Sequence, residues 1–172
     1  MARESRVPKA LTALPAPIRW LAVPVALTCT VVVLVGSWGP GDRKIVVPEP
    51  SGKAADYCRA LAAALPRELL GHARKDPEPA SPYVAVWDSS PRTVLRCGID
   101  RPEELDGPHA KDLSPTVDDV TWWSQRLDGG GYRFVATMRA AYVEVYVPAG
   151  AAQNPFDPAA ALTPQVKASI PG

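Results

Sequence analysis

The sequence has little histidine, a residue on which much enzyme and metal chemistry depends. Only His72 and His109 occur in 172 residues, and both lie in proline-rich stretches. A Ser-His-Asp triad and most metal sites need an imidazole that is held in place. The sequence also lacks the G-x-S-x-G motif of a nucleophile elbow. We therefore predict no catalytic residue, no metal site and no cofactor.

Cysteine is scarce as well. Of the three cysteines, Cys29 lies in an apolar run, and Cys58 and Cys97 follow it. Two cysteines are too few to ligate a structural zinc ion. An even pair in an oxidising compartment instead favours a disulfide. The sequence predicts a Cys58–Cys97 disulfide, with two separate buried thiols as the alternative.

An excess of positive charge is also missing. The chain has 19 basic and 18 acidic residues, and residues 1–19 contain four of the basic and one of the acidic ones. The remainder therefore carries 15 basic and 17 acidic side chains. Such a balance gives no basic patch for nucleic acid or for anionic lipid headgroups. A nucleic-acid partner is excluded on this ground.

Charge is absent altogether between Trp20 and Trp38, and this run is long enough to cross a bilayer. Nineteen residues at about 1.5 Å rise span roughly 28 Å, close to the thickness of the hydrocarbon core. The basic flank at 1–19 predicts a cytoplasmic N-terminus and an extracellular C-terminal domain. A cleaved signal peptide or a lipidated Cys29 are the alternatives. The first fits poorly because the run is long and the residues after it form a poor cleavage site.

The predicted organisation is a cytoplasmic tail at 1–19, a transmembrane helix at 20–38, a linker at 39–52 and a domain at 53–172. The linker is rich in proline and glycine, although 45–47 could add an edge strand. With a single anchor of this kind, the protein is expected at the cell membrane as a single-pass protein.

The domain is predicted to be α+β. Residues 53–65 form an alanine-rich helix in which Cys58, Leu61 and Leu65 share an apolar stripe. Alternating apolar residues predict an antiparallel sheet of about five strands, at 83–87, 93–99, within 117–126, at 132–138 and at 142–147. The helix should pack on one face of this sheet, because Leu95 and Cys97 form the matching apolar strand face.

Shorter segments also have local patterns that predict their structure. Pro66 either ends the helix or starts a further helical turn through 67–70, and 159–170 could form a terminal helix interrupted by Pro164. Ile99 is expected on the same strand face as Leu95 and Cys97, and Met138 on the same strand face as Phe134 and Ala136. The glycine run at 128–131 joins two strands, so a hairpin turn is favoured over a phosphate-binding loop.

Aromatic side chains provide the candidate binding surface. Trp122 and Trp123 must face opposite sides of a strand, so at least one should lie in the core while the other could meet a partner. Tyr142, Glu144 and Tyr146 share the face of the last strand that points away from the helix. Arg96 lies on the same face of the sheet. It could belong to this surface or pair with an acid for structure, and the second role is preferred.

These segments resemble a known family. A cysteine in a helix ending Leu65-Pro66, then VAVW, VLRCGI, VTWW and a final V-E-V-x-V-P are similar to the actinobacterial family called domain of unknown function 3515. The resemblance covers most of 53–148. It implies a membrane-anchored protein of the cell envelope and implies nothing about reaction chemistry.

The sequence thus favours a non-enzymatic binding or scaffolding module on the outer face of the membrane. Its partner would be an envelope protein or a glycan. A cell-wall hydrolase or another glycan-processing enzyme is the alternative. An enzyme would require convergent acids or a nucleophile–base pair in a cleft, whereas a binding module requires only a recognition surface.

Overall fold

The computed structural model describes residues 44–108 and 113–172 of the protein. Within these residues the chain is α+β, with two α-helices and one antiparallel sheet of eight strands rather than about five. The strand order across the sheet is β1-β2-β3-β4-β8-β7-β6-β5. In chain order the elements are α1 (Gly52–Ala64), β1 (Glu68–Leu69), β2 (His72–Lys75), β3 (Val84–Trp87), β4 (Thr93–Ile99), β5 (Thr116–Val117), β6 (Val120–Arg126), β7 (Tyr132–Thr137), β8 (Tyr142–Val147) and α2 (Asp157–Ser169).

Both helices pack on one face of the sheet, and this face forms the main core. Helix α1 contacts β4 and α2, while α2 contacts β6 and β8. The predicted stripe of α1 is buried, as are Leu162 and Val166 of α2. Pro164 lies inside α2 without ending it. Alternate residues of the central strands complete this core, including Leu95 of β4 and Val145 of β8.

The predicted disulfide joins α1 to the middle of the sheet. Cys58 and Cys97 are bonded, with their Cα atoms 5.5 Å apart. Both residues are fully buried in the main core. Small side chains on α1, such as Ala55, allow the helix to approach the sheet closely. The structure thus confirms the disulfide that the sequence predicted.

The strands beyond the predicted five are β1, β2 and β5, which belong to tight hairpins at the two ends of the sheet. Leu69 pairs with His72, and the two residues between them, Leu70 and Gly71, both have positive φ. Two positive φ values in a two-residue loop define the turn that best matches the twist of paired strands. Of the two alternatives considered for Pro66, the helix therefore ends before it and no further helical turn forms at 67–70. The helix propensity of Arg-Glu-Leu-Leu is overridden by the pairing of β1 with β2.

A bulge near the end of β4 changes the side on which its last residue lies. The pairing with β8 shifts between Cys97 and Ile99, and Gly98 has a φ of +81°. An extra residue in one strand reverses the alternation beyond it. Ile99 therefore does not share the core face of Leu95 and Cys97, as the sequence had indicated.

Met138 is also not part of β7, so it does not share a strand face with Phe134 and Ala136. It follows the last residue of β7, has a φ of +59° and is 82% exposed. The strand ends at Thr137 because the chain turns there toward β8. The predicted hairpin turn at 128–131, by contrast, is present between β6 and β7, where the Gly130 amide donates to the Leu127 carbonyl.

The second face of the sheet is covered partly by residues 44–50, which the sequence assigned to a linker. Ile45 is buried with Val84, Val86 and Val94. Val47 packs against the same cluster. This stretch has no strand pairing, so it does not form the edge strand that was considered for 45–47. It is an ordered strap on the domain rather than a free tether.

The strap and the bulge fit closely against each other, which makes Gly98 sensitive to substitution. A Cβ atom on Gly98 would lie 2.5 Å from the Cβ of Pro50, and the positive φ would strain any other residue. Gly98→Ala should therefore lower the free energy of unfolding by about 1–3 kcal/mol. Chemical denaturation of the full-length protein measures this.

Gly129→Ala is the matched control for Gly98→Ala. Gly129 lies in the β6–β7 turn, and a Cβ atom there would have no neighbour within 4 Å. Its replacement should leave the denaturation midpoint nearly unchanged. Equal effects of the two substitutions would show that the strap does not pack against Gly98 as described.

The predicted membrane span at 20–38 and the tail at 1–19 lie outside the described residues. In the part of the chain that the structure does describe, no helix has both the length and the apolar character needed to cross a membrane.

Candidate functional site

A cleft of about 670 Å³ opens on the second face of the sheet. One wall is the strap, at residues 46–49. The opposite wall is the chain that leaves β4, at residues 98–104. The floor is formed by Arg96 of β4 and Arg133 of β7. The volume lies within the range of small-molecule sites, about 300–1,000 Å³.

Glu144 of β8 joins the two arginines of the floor. Nε and Nη2 of Arg96 donate to Oε1 of Glu144 at 2.9 and 2.7 Å, and Nε of Arg133 donates to Oε2 at 2.8 Å. The Glu144 side chain is only 5% exposed, against 25% for Arg96 and 21% for Arg133. Both carboxylate oxygens are thus engaged, and the three side chains form one buried ionic cluster.

Each floor arginine is also held by a further partner. Arg96 donates from Nη1 to the carbonyl of Val46 at 3.2 Å, which fixes the strap. Arg133 donates from Nη1 to Oε1 of Glu104 at 3.0 Å, and its guanidinium lies 5.9 Å from the centroid of the Trp123 ring. The ionic cluster therefore ties both covering segments to the sheet.

A second ion pair lies at the outer end of the cleft. Arg101 donates from Nη2 to Asp106 at 2.8 Å and from Nη1 to the hydroxyl of Tyr142 at 2.9 Å. These contacts raise the pKa of Arg101 above its ordinary value, with Asp106 the larger cause. The same guanidinium lowers the pKa of the Asp106 carboxyl. Both groups are therefore charged at neutral pH.

The structure brings together only part of the predicted binding surface. Trp122 is buried in the main core, where its Nε1 donates to Thr163 at 2.9 Å. Trp123 faces the other side of the sheet, as expected from alternation, but is also only 1% exposed. Neither indole is therefore available to a partner in this structure. At least one tryptophan was expected in the core, and both are buried.

The three predicted residues of β8 do share the second face of the sheet. Tyr142 is half-buried beside Arg101, and Tyr146 is half-buried against the apolar cluster under the strap. Glu144 between them is buried rather than solvated, because two arginines neutralise it. The structural role preferred for Arg96, pairing with an acid, is confirmed.

Arg133, Arg101 and the strap wall were not predicted to belong to a site. Alternation along β7 puts Arg133 on the second face, but its contact with Glu144 depends on the register between β7 and β8. That register pairs Val135 with Glu144 and leaves Arg133 diagonal to it. A diagonal cross-strand contact between long side chains is common, yet a single sequence does not reveal which strands are neighbours.

Other candidate sites are less well supported than the cleft on the second face. A smaller cavity of about 460 Å³ contains His72 and Leu70 beside the loop at 150–153. His109 lies outside the described residues. Across 44–108 and 113–172, no three His, Cys, Asp or Glu side chains are arranged to hold a metal ion.

The chain was compared with known proteins and protein families. No curated protein and no solved structure matches it. The model of a family described as "Protein of unknown function (DUF3515)" matches residues 21–171, which is most of the chain. This agrees with the resemblance seen in the VAVW, VLRCGI and V-E-V-x-V-P segments. The protein belongs to the DUF3515 family.

Proposed function

We propose that this protein is a membrane-anchored binding module of the cell envelope. Residues 20–38 would be its single span, with the tail at 1–19 in the cytoplasm and the domain outside. The uncharged run and its basic flank support this topology. The Cys58–Cys97 disulfide supports it too, because disulfides persist in oxidising compartments.

The ligand would bind in the cleft between the strap and residues 98–104. The observation that carries this proposal is the engagement of Glu144, whose two oxygens accept hydrogen bonds from Arg96 and Arg133. A general acid or base needs an oxygen that can exchange a proton with the substrate. An acid held by two arginines instead fixes the cleft's shape and the direction of its donors. At Glu144 the geometry therefore favours recognition over the acid–base chemistry of a hydrolase.

Photo-crosslinking in intact cells tests the proposed function. A photo-crosslinking amino acid is placed at Val46, which lines the cleft and is 68% exposed. The same amino acid at Met138 is the control, because Met138 is exposed, apolar and outside the cleft lining. We expect a discrete adduct from position 46 and none at that mass from position 138. Identical adducts, or none from position 46, would contradict the proposed binding site.

A further inference from the structure

The floor of the cleft has more hydrogen-bond donors than acceptors. A guanidinium has five N–H groups. Arg96 uses three of them, which leaves two, and Arg133 uses two, which leaves three. No acceptor in the described residues meets Nη2 of Arg133. Both side chains are about three-quarters buried and held in place by Glu144, so these spare donors are preorganised.

The walls of the cleft instead have more acidic than basic side chains. The floor arginines are matched by Glu144 and Glu104, and Arg101 is matched by Asp106. Three further acids in the lining, Glu49, Asp100 and Glu103, make no ion pair or hydrogen bond with any described residue, and all three are exposed. Among the described residues, the cleft thus combines unused donors at its floor with unpaired negative charge at its rim.

We infer that the cleft binds a zwitterionic ligand, namely a short peptide with a free amino group and a free carboxylate. The planar guanidinium donors suit a carboxylate, which accepts two parallel hydrogen bonds from such a fork. The rim carboxylates suit an ammonium group. A simple anion would match the floor donors but leave the rim acids unmatched. A simple cation would meet only exposed, screened charges and leave the floor donors unmatched.

The size of the cleft agrees with a ligand of this class. Its 670 Å³ can enclose a molecule larger than a single ion, and its two walls are separated segments of chain. An extended peptide could lie between them with its carboxylate on the floor and its ammonium at the rim. This inference rests on the proposed function, since it names the ligand of the same cleft.

Calorimetric titration of the full-length protein in detergent micelles with tri-alanine tests the inference. Tri-alanine should bind saturably. Its C-terminal amide should bind about tenfold more weakly, because a charge-assisted hydrogen-bond pair is lost. Its N-acetylated form should bind about two- to fivefold more weakly, as expected for an exposed ion pair. No saturable binding, or equal binding of the three peptides, would overturn the inference.

A double variant tests the assignment of the rim. Asp100→Asn with Glu103→Gln should weaken tri-alanine binding about two- to fivefold and leave binding of the N-acetylated peptide unchanged. These side chains have no partner among the described residues, so the fold should be unaffected. Asp128→Asn, an exposed acid in the β6–β7 turn, is the matched control and should change neither affinity. An equal loss for both peptides would overturn the placement of the ammonium.

The two proposals can fail separately. If tri-alanine does not bind but position 46 still crosslinks in cells, the ligand class is wrong and the binding function stands. If tri-alanine binds as described but position 46 captures nothing in cells, the ligand class stands and the proposed cellular function is wrong.

Discussion

Replacing Glu144 with glutamine should lower the free energy of unfolding by about 3–5 kcal/mol, the usual cost of removing one partner from a buried ion pair. Glutamine keeps the size of the side chain but removes the charge that neutralises Arg96 and Arg133. It also turns an –NH₂ group toward guanidinium donors where an oxygen had accepted. Chemical denaturation of the wild type and Glu144→Gln in parallel measures the difference.

Asp106→Asn provides the matched control for Glu144→Gln. This substitution also removes an acid that pairs with an arginine, but the Asp106 side chain is 70% exposed. Exposed ion pairs add little stability, so the midpoint should hardly move. A triple replacement of Arg96→Met, Glu144→Leu and Arg133→Met should recover much of the lost stability, since apolar packing can replace a buried ionic cluster. A cost of less than about 1 kcal/mol for Glu144→Gln would show that solvent reaches this site freely.

Replacing Cys58 with serine should destabilise the domain by about 2–5 kcal/mol, the typical cost of losing a native disulfide in a small exported domain. The two cysteines are 39 residues apart in sequence. Closing a loop of that length contributes about 4 kcal/mol in the chain-entropy model. A serine hydroxyl would also be buried in an apolar core. Denaturation of the oxidised wild type and Cys58→Ser gives the difference.

Two further measurements test whether the loss of stability in Cys58→Ser comes from the lost disulfide. Cys58→Ala leaves no buried hydroxyl, so its cost reports the lost crosslink and packing without an unsatisfied polar group. Alkylation of thiols in intact cells, without prior reduction, should label neither Cys58 nor Cys97 in the wild type. Labelling of both would mean that the disulfide does not form in the cell, which would also contradict the proposed outer location of the domain.

The sequence predicted those features that depend on local alternation. Cys58 and Leu61 lie on one stripe of a helix, and Leu95 and Cys97 lie on one strand face. Their meeting follows because each apolar face needs a partner. The bounds of β4 and β8 were predicted as the structure has them. Each of these inferences needs only the period of a helix or a strand.

The missed features depend on contacts between distant parts of the chain. Ile99 changes sides because Gly98 adopts a positive φ in a bulge, which alternation does not reveal. The strap appeared to be a linker because of its prolines, yet Ile45 finds an apolar cluster on the sheet. The burial of Glu144 was not predicted, because its arginine partner on β7 is brought near only by the strand order. The strap and the bulge line the cleft, and Glu144 holds the two arginines of its floor, so its shape could not be predicted from the sequence.

The strap is also the path by which mechanical tension would enter the domain. A pull on the chain at Lys44 acts first on the buried side chain of Ile45 and on the hydrogen bond between Arg96 and Val46. Val46 belongs to one wall of the cleft. If the strap and the start of α1 peel away, the pull reaches Cys58, which is covalently joined to β4 at the centre of the sheet. The cleft would therefore open under a small force while the sheet stays intact, and a ligand bound against the strap would raise the force required.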